Sequence, residues 1–288
     1  MTDKKARKKK RSGKRSSLAQ KLLFRIEDRD LFLKLFNFYA GLNKSWKVAA
    51  EDTADDKGRF FRVTDRDGNK LHIIHKIRLP FYKAGIRPRV KGLVDDYMID
   101  LDALGEGDVF FDCGANIGEI GVGLRLAGKT VRYIAFEPGA EEHAACALNN
   151  PSGTCEKTAL WNETCFLKFY EKSDSADSSL IAFGAHEKVT EVPATTIDAY
   201  CAANGIGTIT YLKIEAEGAE PEVLEGAVET LKRTRFVTVD CGYERGPDQE
   251  STLPRVCTQL IRSGFDMIRI RDGRLIALFE NKALGKAV

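Results

Sequence analysis

The period of the hydrophobic positions changes along the chain, and each period names a different element. From Ser17 onward Leu18, Leu22, Leu23, Ile26, Leu31, Leu35, Phe36 and Tyr39 recur at roughly helical spacing, which predicts one or two amphipathic helices ending near Gly41. Residues 59–77, RFFRVTDRDGNKLHIIHKI, alternate apolar and polar positions on either side of Asp67-Gly68, the pattern of a β-hairpin. His72 and His75 lie three apart in its second strand and so face opposite sides, a poor arrangement for sharing one metal. Beyond Gly92 short apolar runs alternate with helical segments. The runs are VFFDCG (109–114), VRYIAFEP (131–138), GTCEKTALW (153–161), TITYLKIEAEG (208–218) and FVTVDCGYE (236–244), and helices are expected up to Leu126, up to Asn150, over 221–231 and over 253–263. Such alternation implies an α/β fold with a doubly wound, Rossmann-like, mostly parallel sheet and helices on both faces. The pair FDMIRI and LIALFE around Asp272-Gly273 adds an antiparallel C-terminal edge hairpin. The polar stretch EKSDSADSS (171–179) reads as a loop. These shifts divide the chain into a tail (1–16), an N-terminal extension of helices and a β-hairpin (17–103), and a main domain (104–288).

Composition and charge add to this picture. The 288 residues are 43% hydrophobic and 30% charged, enough for one α/β domain with an appendage and a sizeable core. The net charge of +3 conceals an asymmetry, because residues 1–16 hold nine Lys or Arg against Asp3, a charge of +8, leaving residues 17–288 at −5. With almost nothing to bury, that tail is expected to be disordered. It reads as solubilising, or as a weak, non-specific contact for nucleic acid or an anionic membrane surface. Packing onto the main domain is the expected role of the helices that follow it, with a membrane-surface role for this basic, Phe-rich segment as the alternative. The chain has no run of about 18 apolar residues and no apolar signal-peptide core, which argues against spanning a membrane and against signal-directed secretion. Seven scattered cysteines without a C-x-x-C pair fit a reduced, cytoplasmic chain.

In a doubly wound sheet, ligands bind beyond the carboxyl ends of the strands where strand order reverses, next to a Gly-rich first turn. Here that turn is Asp112-Cys113-Gly114-Ala115-Asn116-Ile117-Gly118. Gly114 and Gly118 permit close backbone approach, and the helix after Gly118 begins with free N–H groups. The next strand ends in Glu137 and Pro138, 23 residues after Gly114, where a carboxylate can accept both hydroxyls of a ribose. The pair points to an adenosine-type ligand. Charge then separates a dinucleotide from S-adenosylmethionine. Asn116 stands where a dinucleotide turn wants a glycine, and Asp112 adds negative charge, which favours the ligand with a sulfonium and an ammonium.

Taken together, FDCGANIG (111–118), IAFEP (134–138), TAL (158–160), VPATTIDAY (192–200) and LKIEAEGAEPEVLEGA (212–227) resemble the FkbM family of S-adenosylmethionine-dependent methyltransferases, over about Val109 to Asp240. The resemblance implies a class I methyltransferase sheet. It also implies that the loop from Asp112 through Gly114, Ala115 and Asn116 to Gly118 holds the methionine portion of S-adenosyl-L-methionine, Glu137 the ribose and the backbone around Ala159 the adenine. The family usually has K-[IV]-D-[VA]-E-G-[AF]-E where this chain has Lys213-Ile214-Glu215-Ala216-Glu217-Gly218-Ala219-Glu220. Asp becomes Glu at 215, so charge is kept and reach grows by one methylene. The N-terminal 100 residues lie outside the resemblance.

A sulfonium is already a good leaving group, so a methyltransferase must mainly align the acceptor and, for an alcohol, take its proton. Strand alternation places Lys213, Glu215 and Glu217 on one face, with Glu217 able to enter the cleft where the strand ends. Crowded carboxylates raise at least one pKa while Lys213 opposes the rise, so Glu215 or Glu217 is the candidate base. The bland reading is a Lys213–Glu215 ion pair with Glu217 and Glu220 capping the next helix; the resemblance favours a catalytic cluster. Glu215, Asp240 and Glu244 also make an all-oxygen set that a divalent metal would accept, though none is required. Cys113 and Cys241 read as packing residues, and Trp161 as either a border of the adenine pocket or core.

The expected activity is O-methylation of a hydroxyl on a sugar, glycan or small natural product, an acceptor class that the resemblance implies. Nucleic-acid methylation using the basic tail is one alternative, although no N-P-P-Y or D-P-P-Y strand end and no Pro-Cys nucleophile occurs. A cofactor-binding adaptor without catalysis is the other. The acceptor pocket is expected from residues 18–100 and the loop at 171–190.

Overall fold

The central sheet consists of β1 (Val109–Cys113), β2 (Arg132–Phe136), β3 (Thr154–Glu156), β4 (Ile209–Ile214), β5 (Thr234–Asp240), β6 (Phe265–Arg271) and β7 (Ile276–Asn281). The structure, a computed structural model, describes residues 18–56, 58–171, 180–181 and 188–284. The basic tail at 1–16 and most of the polar stretch at 171–179 lie outside the described residues. In space the strands run β6-β7-β5-β4-β1-β2-β3. Strands β1 to β5 are parallel to one another, and β7 is antiparallel to both β5 and β6. The chain winds outward from β1 through β2 and β3, then crosses back to β4, so strand order reverses between β1 and β4. That is where such a sheet opens a crevice.

The strands read as continuous apolar runs because helices cover both faces. All six residues of β4 are buried. On one face Phe111, Ile134, Leu212 and Val237 pack with Ile197, Val223, Leu224, Val256 and Leu260 from the helices Ile197–Ala203, Glu220–Glu225 and Leu253–Arg262. On the other, Tyr133, Phe110, Tyr211 and Phe236 stack in a row across β2, β1, β4 and β5, with ring centroids 4.8–6.1 Å apart. The helices Ile86–Asp96 and Glu119–Leu126 cover this row.

The N-terminal extension begins with helices Leu18–Leu23 and Arg29–Leu42, the second capped by Asp28, whose carboxylate accepts the Leu31 N–H at 2.7 Å. Phe32, Leu33, Phe36 and Ala40 are the buried side of the second helix, and they share a core with an antiparallel meander, Val48–Asp55, Gly58–Asp65 and Lys70–Ile73. The last two strands are the expected hairpin. The first was not expected, because VAAEDTAD buries only Val48 and Ala50 and carries no apolar alternation. Ile117, Val122, Ala144 and Ala145 join the same core, so extension and main domain are packed as one body. Asn149 ties the seam: its amide oxygen accepts the His72 N–H at 2.7 Å, and its amide nitrogen donates to the carbonyls of His72 and Ile117.

Two other expectations change in detail. GTCEKTALW is two strands in different sheets, because Ala159–Leu160 leaves β3's sheet to pair with Lys188–Thr195, which is itself antiparallel to Cys165–Glu171. The helix expected over 221–231 breaks at Gly226-Ala227. There the backbone presses against Trp161, and a Cβ on Gly226 would sit 2.1 Å from its carbonyl oxygen.

Candidate active site

Register brings four chemically active positions to one edge of the sheet. Cys113 lies opposite Phe136 and Ile214, and Ile214 opposite Val239. The residues that follow them, Gly114, Glu137, Glu215 and Asp240, therefore leave β1, β2, β4 and β5 at the same level. The crevice they border is a cavity of about 260 Å³.

Lys213 organises the floor of this edge. Its ammonium is 2% exposed and lies 2.9 Å from Asp112 and 3.3 Å from Glu215, and it donates to the Gly114 carbonyl at 2.8 Å. Burial disfavours the charge, but Asp112 and Glu215 outweigh burial and raise the ammonium above the ordinary lysine range. Asp112 is fully buried, accepts the Tyr133 hydroxyl at 2.5 Å and does not line the cavity. Gly118 also stays off the cavity: its φ is +75°, and a Cβ there would meet the Asn150 amide at 2.2 Å. Gly114, Ala115, Asn116, Glu137, Pro138, Ala159, Lys213, Glu215 and Glu217 all line it.

Gly114 must be glycine for a packing reason. Its φ is +70°, and a Cβ would lie 1.8 Å from the Glu215 carbonyl oxygen, so the β1 turn and the end of β4 touch backbone to backbone. Beyond β4 the chain turns sharply at Glu217 and Gly218, whose φ values are +49° and +95°. Glu220 holds that turn by accepting the N–H groups of Ala216 and Gly218 at 2.9 and 3.0 Å. Lys213 and Glu215 thus form an ion pair, Glu220 clamps the loop, and Glu217 projects to the cavity from a left-handed backbone of the kind that clusters at functional sites.

A residue that no motif announced completes the acidic wall. Arg274, at the turn of the β6–β7 hairpin, reaches back to Asp240 at 2.6 Å and Glu215 at 2.8 Å. The protein's own guanidinium therefore joins two of the three carboxylates that a divalent metal would have used. Among the described residues no cluster of three His, Cys, Asp or Glu is arranged to hold a metal ion. Burial pushes Glu215 up, but Lys213 and Arg274 overcome it and hold the carboxylate at about 2. Glu244 behaves in the opposite way. Burial, reinforced by Asp240 and Glu215, pushes its carboxyl up to about 7, and it lines the cavity.

On the β2 side, Glu137 accepts the Asn116 N–H at 2.8 Å through one oxygen and the Gly139 N–H at 2.9 Å through the other. Each oxygen keeps a further site, so the group can still meet two hydroxyls, as acceptor when ionised and as donor and acceptor when protonated. Burial and the neighbouring Glu142 push Glu137 up to about 8 in spite of those bonds. Phe136, Ala159, Leu160, Phe169 and Leu180 supply apolar wall beside it. At the start of the helix Glu119–Leu126, where a dinucleotide would seat its pyrophosphate, Glu119 instead receives Arg89 through two bonds of 2.9 and 3.1 Å and the Tyr82 hydroxyl at 2.7 Å. That carboxylate, paired with Arg89, occupies the place at the helix start that a pyrophosphate would need. An acceptor for ribose beside an apolar wall, with carboxyl groups and paired cations around the rest of the cavity, fits S-adenosylmethionine.

The extension closes the cavity with Arg78, Arg89, Leu93 and Tyr97, and the Tyr97 ring lies 5.1 Å from the Lys213 ammonium. Arg78, Arg89 and Tyr97 belong to a region without sequence motifs, and Arg274 follows an ordinary hairpin turn; nothing in the local pattern of either marks a site.

The methyltransferase FkbM domain matches residues 112–269 of the chain. Among solved structures, a ribosomal protein L11 methylase from Lactobacillus delbrueckii subsp. bulgaricus is similar at 14% identity and a TM-score of 0.38, over 68% of this chain and 78% of that one. A TehB-like SAM-dependent methyltransferase from Corynebacterium glutamicum is similar at 11% identity and the same TM-score of 0.38, over 67% and 88%. No curated protein is similar enough to count as a match.

Proposed function

The chain belongs to the FkbM family of methyltransferases, and on that premise we propose that it methylates an alcohol oxygen of a sugar or small natural product, with Glu244 as the base. S-adenosylmethionine supplies an electrophilic methyl group on a sulfonium when bound. Glu137 would hold its ribose, the backbone of Gly114, Ala115 and Asn116 its methionine portion, and Ala159 with the surrounding apolar wall its adenine.

The observation that carries the proposal is the contrast among the cavity's acidic groups. A base must be partly ionised near neutral pH and still have a lone pair to offer. Lys213 is held as an ammonium and has none. Glu215 is held far below neutrality by two cations, which weakens it as a base. Glu137 lies near 8, but each of its oxygens already accepts a backbone N–H, whereas Glu244 sits near 7 in the same cavity, close to the optimum for taking a hydroxyl proton as the oxygen attacks. Lys213, Glu215 and Arg274 then act by fixing the edge of the sheet against which the acceptor is positioned.

The test is incubation of the full chain with methyl-labelled cofactor and a panel of monosaccharides, glycosides and hydroxylated natural products, with RNA and protein as parallel acceptors, read by mass spectrometry. Gain of one methyl on a hydroxyl supports the proposal. Methyl incorporation confined to RNA or protein, or to an amine, refutes it.

A further inference from the structure

Exposed apolar side chains on a soluble domain are normally scattered singly. On the helix Arg29–Leu42 they are not. Leu31, Leu35, Phe38 and Leu42 are 48, 41, 66 and 71% exposed, and steps of four, three and four residues bring them within an arc of roughly 60°. The opposite side, with Phe32, Leu33, Phe36 and Ala40, is the one packed into the core. Leu18 and Leu22, four apart on the preceding helix, are 74 and 54% exposed. Lys21, Arg25, Lys34, Lys44 and Lys47 are exposed on the same segment, while Glu27, Asp28 and Asp30 sit at the start of the second helix, Asp28 serving as its cap. Directly N-terminal to this segment the sequence places residues 1–16 with their charge of +8.

We propose that the Leu31–Leu35–Phe38–Leu42 stripe and the basic N-terminal segment together dock the chain on the surface of an anionic phospholipid bilayer. An apolar helix face and an adjoining polybasic run are the two signals that stable interfacial anchoring needs, since either one alone binds marginally. A nucleic acid would use the positive charge but has no use for an aliphatic stripe. A second copy of the chain would cover the stripe but offers no counter-charge to the basic residues beside it. No described helix is long and apolar enough to cross a membrane, so the helix lies in the plane of the interface.

The test is co-sedimentation of the full chain with vesicles of phosphatidylcholine alone and of phosphatidylcholine with about a third phosphatidylserine, at low and high salt. The chain binds the anionic vesicles, binds the neutral ones weakly, and is released by salt. Leu35→Ser with Phe38→Ser weakens binding at least about tenfold, as does deletion of residues 1–16, while both variants keep the wild-type melting temperature and affinity for S-adenosylhomocysteine. Any one of three results overturns the proposal: no binding of the wild type to anionic vesicles; stripe-variant binding equal to wild type, which leaves only tail electrostatics; or no vesicle binding together with a dimer or an RNA complex that the stripe variant abolishes.

Discussion

Replacing Lys213 with Met tests how the site's edge is held together. The ammonium is 2% exposed and serves Asp112 and Glu215 together with the Cys113 and Gly114 carbonyls. Methionine fills a similar volume, so the loss is one of charge. Glu215 keeps Arg274 at 2.8 Å, but among the described residues the fully buried Asp112 keeps only the Tyr133 hydroxyl. Stranding one partner of a buried pair costs about 3–5 kcal/mol. For a domain of this size each kcal/mol moves the melting temperature by about 2–4 °C, so the expected fall is roughly 6–20 °C. Calorimetry or circular dichroism at neutral pH reads it. Adding Asp112→Asn removes the stranded charge while leaving an acceptor for Tyr133, and the double variant should recover a substantial part of the loss. If Lys213→Met melts within about 2 °C of wild type, or if Asp112→Asn gives no recovery, the ion-pair account of this edge is wrong.

Glu244→Gln should lower kcat by about 10² to 10⁴ with little change in KM, and should remove the inflection near pH 7 from the kcat profile; an unchanged profile would assign the base elsewhere. Glu137 carries the opposite sign from an ordinary ion-paired carboxylate. Its folded value of about 8 lies above its unfolded one, so the folded chain keeps a proton that the unfolded chain has lost, and stability falls as pH rises through that window. Glu137→Gln should flatten the melting temperature between pH 5 and pH 8 and raise it at pH 8, and equal pH dependence in the two proteins would contradict this. Gly114→Ala sets a Cβ 1.8 Å from the Glu215 carbonyl at a φ of +70°, so cofactor affinity should drop by more than tenfold in a titration, whereas Gly128→Ala, at a positive φ with open space around it, should lose only stability.

The parallel sheet was legible because its strands are continuous apolar runs punctuated by helices, and Glu137 and Glu215 were legible because a strand end at the carboxyl edge is where such sheets work. What escaped depends on contacts between distant segments. Arg274 enters the site only because β7 pairs antiparallel with β5, so that Ile276 faces Asp240 and the hairpin turn just before it folds over the edge. Burial raises both Glu215 and Glu244, and they differ through their neighbours, two cations for Glu215 and the carboxylates of two strand ends for Glu244, which spacing does not reveal. The first meander strand lacks the alternation that would betray it, since one of its faces is wet and the other is covered mainly by small side chains. Gly226 ends a helix because Trp161, 65 residues earlier, presses on it. The stripe on the second helix could be seen as amphipathic, but which of its two apolar sides packs inward is decided by the meander beneath.

The cavity at the β1–β4 edge should accept a sulfonium nucleoside and no pyrophosphate. Isothermal titration of the full chain with S-adenosylhomocysteine, and separately with NAD, tests this most directly. One site for S-adenosylhomocysteine, weakened by Glu137→Ala, with no heat from NAD, is the expected result; binding of NAD in its place, or no binding of either by folded protein, contradicts it.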